Sequence, residues 1–210
     1  MVALKQAWLS SEADIVSYMD VDLSSDLSSF PALIAPLLSG EYDLAVGSRL
    51  LKPELTKRCL RREIISRVYN RLIKLVFPRT TFSDAQCGFK AITREAARAL
   101  LGRGPAFARG FGEARGGRLY VEDNEWFFDT ELLVLAEKLG YRIFDLPVPW
   151  VEDPRSSVKI FRTAIQDIRG LLRLRRKLRH IHTRSLRPPK EAKIGSLSAR
   201  CDDFSHHQSS

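Results

Sequence analysis

Three carboxylates crowd the segment IVSYMDVDLSSD, residues 15–26: Asp20, Asp22 and Asp26. The apolar run before them reads as a buried strand. Side chains in a strand repeat with period two, so Asp20 and Asp22 at its end point to one side of the pleat. Two like charges so placed repel unless a cation lies between them. Oxygen ligands suit a hard divalent ion, Mg2+ or Mn2+, shared with substrate phosphates. The alternative is an Asp-rich turn in which Ser25 or Asp26 caps the next helix, and Asp26 is read as that turn or cap residue.

The elements that must hold these carboxylates are legible downstream. SSFPALIAPLLSG reads as a short helix closed by Gly40, and YDLAVGSR as a strand ending in Arg49. From Leu60 to Phe77, Ile64, Ile65, Val68, Leu72, Leu75 and Val76 recur at three- and four-residue steps, which predicts an amphipathic helix packing on a core. SDAQCGFKAI is a loop entering a strand, followed by a helix capped near Thr93. EWFFDTELLVLAEKLG is a helix ending at Gly140, and YRIFDLPVPWV a strand whose Pro147 and Pro149 suit an edge or an exit. A last helix, 158–178, places Phe161, Ile165, Ile168, Leu172 and Leu178 on one side and Arg162, Arg169, Arg173, Arg176 and Arg179 around the other. It either packs on the core or lies in a membrane interface.

Strands alternating with helices argue for an α/β domain. The 210 residues, 44% of them hydrophobic, suffice for one domain with a tail, read as 1–183 and 184–210. Six glycines in GRGPAFARGFGEARGGR predict a mobile insertion over 102–118. No signal peptide or run of about 18 apolar residues is present, which predicts a cytosolic protein. Cys59, Cys87 and Cys201 are scattered and read as free thiols. The net charge of +9 calls for an anionic partner. Nucleic acid fits poorly, because aromatics for base stacking are not interleaved with the arginines.

The order of the motifs YMDVDLSSD, AVGSR, DAQCGFKA, WFFDTELL and LPVPW resembles family 2 glycosyltransferases of the GT-A fold, nearest to dolichyl- or polyprenyl-phosphate glucosyl- and mannosyltransferases. The resemblance runs from Ile15 to Arg179. It implies a partial, Rossmann-like GT-A fold with a mixed sheet and a C-terminal amphipathic helix. The implied activity is inverting transfer of a hexose from UDP-glucose or GDP-mannose to a polyprenyl phosphate. The implied place is the cytoplasmic face of a membrane.

By the same resemblance Asp20 and Asp22 hold the Mg2+ or Mn2+, Arg49, Arg62, Ser157 and Lys159 bind the acceptor phosphate, and Asp84, Gln86, Gly88 and Lys90 form the active-site loop, where Gly88 would supply a backbone conformation closed to bulkier residues. Asp129 and Glu131 stand where relatives place an acid or base, with structural hydrogen bonding as the alternative. Cys87 is read as a small buried hydrophobe. Members of the family carry a nucleotide-binding half before the paired aspartates, whereas 19 residues precede Asp20 here. The chain is therefore read as an acceptor-side portion, and a non-catalytic remnant or partner subunit is the alternative function.

Overall fold

The computed structural model describes residues 1–102, 120–152 and 160–179. In order these form α1 (Val2–Ser10), β1 (Ile15–Met19), α2 (Phe30–Leu38), β2 (Leu44–Ser48), β3 (Thr56–Lys57), α3 (Leu60–Val76), β4 (Phe89–Thr93), α4 (Arg94–Leu101), α5 (Phe128–Lys138), β5 (Ile143–Pro147), β6 (Trp150–Val151) and α6 (Ile160–Arg179). The insertion from residue 103, the Ser-Ser-Val-Lys turn and the 184–210 tail lie outside the described residues.

The main sheet has the order β1-β4-β2-β5. Strand β4 runs antiparallel to β1 and β2, while β2 and β5 are parallel. The mixed sheet expected from the motif order is therefore present. This topology gathers the C-terminal ends of β1, β2 and β5 and the start of β4 at one end of the sheet, the place where open α/β sheets bind ligands.

Period-two alternation puts Phe89 and Lys90 on opposite faces. Phe89 meets the ring of Phe30 at the start of α2, and Lys90 meets Asp129 of α5. Helices α2 and α5 thus cover opposite faces of the sheet. The core between them is continuous from Leu33 and Leu37 through Val46 and Ile92 to Phe128, Leu132 and Leu133. Truncating any one of these to Ala would cost about 2–5 kcal/mol.

Local signals set the ends of the elements. Gly40 and Gly140 follow α2 and α5 with φ of 71° and 84°, the left-handed conformation that glycine adopts without a Cβ clash. Thr93 Oγ1 accepts from the Ala96 N–H and caps α4. The YRIFDLPVPWV run divides in two: β5 is an edge strand that Pro147 ends, and β6 pairs with β3 outside the main sheet.

Helix α1 carries little sequence signal. It is held by Trp8, which is buried, stacks on Tyr18 and donates from its indole to the Ser17 carbonyl at 3.3 Å. Asp14 and Asp20, flanking β1, are bonded at 2.8 Å each to Arg94 and Gly88, flanking β4, so the backbone groups of the even-numbered residues of β1 face β4 and those of Ser17 face the outer edge. No strand pairs with that edge among the described residues. Only Val16 of β1 is buried, which corrects the reading of a buried strand.

Two helices turn part of the apolar stripe read from the sequence outward, while Leu72 of α3 packs against the core and Leu178 of α6 is buried. On α3 the buried residues are Ser66, Tyr69, Asn70 and Ile73, while Ile64, Val68 and Leu75 are exposed. The reason is polar: Asn70 Oδ1 accepts from the Ala85 N–H at 2.9 Å, and the Tyr69 hydroxyl pairs with Thr130. On α6 the core face is Leu171, Leu174 and Leu178, leaving Ile165, Ile168 and Leu172 exposed.

Candidate active site

Asp20 follows β1 directly, its N–H bonded to the Gly88 carbonyl at 2.8 Å. A Cβ built on Gly88 would lie 1.9 Å from Asp20 Oδ2 and 2.2 Å from Oδ1. Gly88 is not among the described glycines with positive φ. Its role is therefore space for the Asp20 carboxyl and not the special backbone conformation expected. Partial burial of that carboxyl against the chain pushes its pKa up although Asp20 as a whole is exposed, Lys90 opposes this, and the charges of Asp129 and Asp22 add to the rise.

The strand ends before the second carboxylate. Residues 20–23 turn, with the Leu23 N–H bonded to the Asp20 carbonyl at 3.1 Å and Leu23 at φ 51°. This conformation is uncommon for a branched side chain. Asp22 accepts from the Ser24 N–H at 3.0 Å. Asp20 and Asp22 are thus brought together by a turn, where pleat alternation was expected. Asp26 accepts from the Ser28 N–H and hydroxyl, the cap role read for it. The turn is tied down by the β5–β6 exit: Ser25 bridges Trp150, the Val151 N–H reaches the Ser24 carbonyl and the Asp26 N–H reaches the Pro149 carbonyl.

Below the two aspartates lies a set of paired buried charges. Arg49 Nε and Nη2 grip Asp84 at 2.7 and 2.9 Å, and Asp84 is fully buried. Burial alone would raise the Asp84 pKa, but the guanidinium outweighs it and holds the carboxyl below its usual range. Lys90, also buried, donates to the Cys87 carbonyl at 2.5 Å and pairs with Asp129 Oδ1 at 3.0 Å. The Tyr18 hydroxyl donates to the same oxygen. Gln86 Nε2 donates to Asp167 Oδ2 of α6 at 2.8 Å, and burial pushes the Asp167 carboxyl up to about 6. Glu131 accepts from the N–H groups of Glu122 and Asp123 at 2.9 and 2.7 Å, a bracing role. Burial lifts the Cys87 thiol to about 11, which fits the buried hydrophobe and not a nucleophile.

Arg62 ion-pairs with Glu152 at 2.7 Å, and Glu152 also accepts from the Cys59 N–H at 2.6 Å. Ser157 and Lys159 lie outside the described residues. Sequence reasoning passed over Tyr18, Arg58, Asn70, Trp150 and Asp167. A Trp flanked by prolines and an Arg-rich turn were the available signals for Trp150 and Arg58. Tyr18, Asn70 and Asp167 sit in patterns that read as strand or helix interior.

The donor set suits a hard cation. Asp20 and Asp22 offer two carboxylates at a solvent-facing sheet end, and repulsion from Asp22 and Asp129 already acts on Asp20. No cluster of three or more metal-ligating side chains occurs among the described residues. An ion here would thus keep positions for water and phosphate oxygens, the usual arrangement for Mg2+.

No protein-family model matches the chain. Glycosyltransferase AglD of Haloferax volcanii is 38% identical over 169 residues, covering 80% of this chain and 24% of that protein. The dolichyl-phosphate beta-glucosyltransferase of Dictyostelium discoideum is 27% identical over 179 residues, covering 82% of this chain and 49% of the relative. The chain thus spans about half of that glucosyltransferase and a quarter of AglD. Among solved structures, glucosyl-3-phosphoglycerate synthase from Mycobacterium tuberculosis in complex with UDP is 20% identical, with a TM-score of 0.55 over 82% of this chain and 53% of that one. A second structure of the synthase, with Mn2+ and UDP-glucose, gives a TM-score of 0.54 at 18% identity over 81% of this chain and 52% of that one. This likeness is one of fold.

Proposed function

We propose that this chain, a homologue of the dolichyl-phosphate beta-glucosyltransferases with the GT-A glycosyltransferase fold, serves the inverting transfer of a hexose from a UDP- or GDP-sugar to a polyprenyl phosphate. The observation that carries this reading is the Asp20 carboxyl, seated on Gly88 beside Asp22 with no hydrogen-bonded cation of its own among the described residues. Asp20 and Asp22 would hold Mn2+ or Mg2+. When bound, the ion neutralises charge developing on the departing diphosphate.

The chain's own groups have separable tasks. The Ser25–Trp150 bridge fixes the turn that carries both aspartates. Lys90 and Tyr18 hold Asp129 beneath it. Asp129 is assigned to positioning, because a phosphate acceptor is anionic near neutral pH and needs no strong base. Arg49, expected at the acceptor phosphate, is closed on Asp84 and is assigned here to shaping the strand end. Arg62, with Ser157 and Lys159, is assigned to the acceptor phosphate, which would take the place of Glu152 on its guanidinium.

The exposed Ile64, Val68 and Leu75 of α3 and Ile165, Ile168 and Leu172 of α6 favour docking on a membrane's cytoplasmic face. Exposed Arg61, Arg71, Lys74, Arg175 and Arg176 flank them, and basic residues near anionic lipid contribute about 1 kcal/mol each. No helix of the described residues is long and apolar enough to cross a membrane.

A second reading has its own support in the outer edge of β1, which no strand pairs with among the described residues. Here a further β-bearing segment, in this or another polypeptide, pairs with β1 and completes the nucleotide site.

The test is titration of Mn2+ in the presence of UDP, followed by the electron spin resonance signal of the free ion, on the wild type and on D20N/D22N. Binding in the first and its loss in the second, with the fold intact, is expected. Equal binding in both would remove the metal assignment. Transfer of labelled glucose or mannose to polyprenyl phosphate then identifies the donor.

A further inference from the structure

Asp167 of α6 is buried, with 3% of its surface exposed. Its Oδ2 accepts from Gln86 Nε2 at 2.8 Å, while its Oδ1 is shut off from solvent and has no hydrogen-bond partner among the described residues. The ionisable groups that face it are Tyr69 of α3, Asp123 ahead of α5 and Asp129 of α5. Each is engaged elsewhere: the Tyr69 hydroxyl with Thr130 Oγ1 at 2.9 Å, Asp123 with Arg173 at 2.8 Å and Asp129 with Lys90 at 3.0 Å. Among the described residues no lysine or arginine acts on Asp167.

A buried carboxyl with one neutral donor and two acidic neighbours can shed its charge in two ways: it takes up a proton, or it moves into water. Burial leads in pushing its pKa up to about 6, Gln86 opposes, and Asp123 and Asp129 add to the rise. The second way would carry α6 with it, because the helix is seated tightly at the same level. Gly170, three residues on and on the same face, lies so close to Phe127 that an added Cβ would meet the ring at 2.4 Å. Gln86 in turn belongs to the active-site loop, two residues before the Gly88 on which the Asp20 carboxyl rests. Two other ties hold this loop, Arg49 on Asp84 at 2.7 Å and Asn70 Oδ1 on the Ala85 N–H at 2.9 Å. The amide of Asn70 does not titrate, and Asp84 is held below the usual carboxylate range. Asp167 is therefore the tie that a proton can alter near neutrality.

We infer that Asp167 is a positioning residue whose proton seats α6 on the active-site loop and so keeps Gly88 beneath Asp20, and that loss of the proton loosens helix, loop and metal site together. This rests on the transferase reading only for the task given to Asp20. The sign follows from the burial: the protonated form is favoured in the seated state, so the seat is firm at acid pH and weakens as pH rises through about 6.

The test is hydrogen exchange by NMR on the full chain, without ligand, at about pH 5 and about pH 7.5, for the wild type, D167N and G170A. Protection factors remove the intrinsic pH dependence of exchange. In the wild type the Asp20 and Ala85 N–H groups, bonded to Gly88 and Asn70, should lose about tenfold in protection between the two conditions. The Thr93 N–H, bonded to the Asp43 carbonyl at the far end of the sheet, should hold. D167N carries no charge at either pH and should keep the acid-pH protection at both. G170A, which drives α6 from the Phe127 ring, should lower Asp20 protection already at acid pH and bring the Asp167 titration down toward the ordinary 3.8. Wild-type protection that is the same at both pH values overturns the inference, as does a parallel loss at Thr93, which marks global loosening. So does D167N losing protection as the wild type does, and this comparison stands whether or not G170A folds. A folded G170A with Asp20 protection and Asp167 titration unmoved overturns it too. Mn2+ binding with UDP should be equal in D167N and the wild type at acid pH and about threefold or more tighter in D167N at about pH 7.5. Equal binding at the higher pH overturns the link to the metal site. If neither protein binds Mn2+ with UDP while exchange behaves as expected, the transferase reading falls and the hold of Asp167 on the loop stands.

Discussion

Substituting Gly88 by Ala tests how the site is built, because the new methyl would occupy the place of the Asp20 carboxyl. The added Cβ would meet Oδ2 at 1.9 Å, Cγ at 2.0 Å and Oδ1 at 2.2 Å. Favourable contact between such atoms begins at about 3.5 Å. The carboxyl must therefore retreat by roughly 1.3–1.6 Å. The backbones cannot separate to make room without losing the bond from the Asp20 N–H to the Gly88 carbonyl at 2.8 Å. Asp20 is exposed at the sheet end, so its side chain can swing into solvent at a rotamer cost of about 0.5–1.5 kcal/mol.

Metal ligation tolerates about 0.2 Å, and the retreat is several times larger. Gly88→Ala should thus weaken Mn2+ binding in the presence of UDP by about 100-fold, the upper end for residues that support a ligand. The urea midpoint should change little. Spin resonance titration gives the affinity, and a cycle with Asp20→Asn isolates the coupling. Gly88→Ala should do nothing further once Asp20 is Asn. Affinity within threefold of the wild type, or full additivity with Asp20→Asn, would refute the claim that Gly88 cradles this carboxyl.

Arg49→Ala should destabilise by about 3–5 kcal/mol in urea unfolding, because Asp84 would be left charged and fully buried, and Asp84→Asn in the same chain should restore most of the loss. Asp167 is held up to about 6 in the folded chain against 3.8 unfolded, burial being the first cause. The folded state therefore favours its protonated form; that stability is complete below pH 3.8 and lost as pH rises through about 6. Asp167→Asn should accordingly raise the melting temperature by a few degrees at pH 7.5, about 1–2 kcal/mol after allowing for solvent screening, and do nothing at pH 3.5. Sedimentation with anionic vesicles should show binding that falls as salt shortens the Debye length from about 8 Å, and that is lost on replacing Ile168 and Leu172 by Asp.

The α/β alternation, the helix ends at Gly40 and Gly140, the Thr93 cap and the prolines that end β5 were legible, because each rests on local chemistry. Helix phase was legible only in part. The apolar residues of α3 do fall at helical steps, but Ser66 and Asn70 take the core side because Asn70 holds the Ala85 N–H. A hydrogen bond across 15 residues leaves no mark in a hydropathy pattern. Asp20, Asp84, Gly88, Lys90 and Asp129 lie together at one end of the sheet. Their pairings come from β1–β4 register, which sets Tyr18 opposite Lys90. Helix α1 left no signal because its docking rests on scattered side chains, the buried Trp8, Leu4 and Leu9 against the core and Lys5 on the Val121 and Asp123 carbonyls, and not on a periodic stripe.

Charge pairing narrows where an external cation is needed. At the sheet end, Asp84 has Arg49, Asp129 has Lys90 and the Tyr18 hydroxyl, and Glu152 has Arg62. Each of these pairs is closed at 3.0 Å or less, so little of its field is left over for the two carboxylates of the turn. Lys90 and Arg49 do act on Asp20, but burial and the charges of Asp129 and Asp22 leave the balance raised. The fold thus spends its fixed cations beneath the surface, on carboxylates that shape the strand ends, and leaves Asp20 and Asp22 to solvent. A divalent ion arriving with a diphosphate would relieve this repulsion and, among the described residues, meet no competing lysine or arginine bond. Supplying such a bond should have the opposite effect: Val21→Lys, at a side chain 98% exposed between the two aspartates, should lower the Asp20 pKa and weaken Mn2+ binding together. Carboxyl titration by NMR and the spin resonance assay read the two quantities, and a weakened metal with an unmoved Asp20 would show that the ion is held elsewhere.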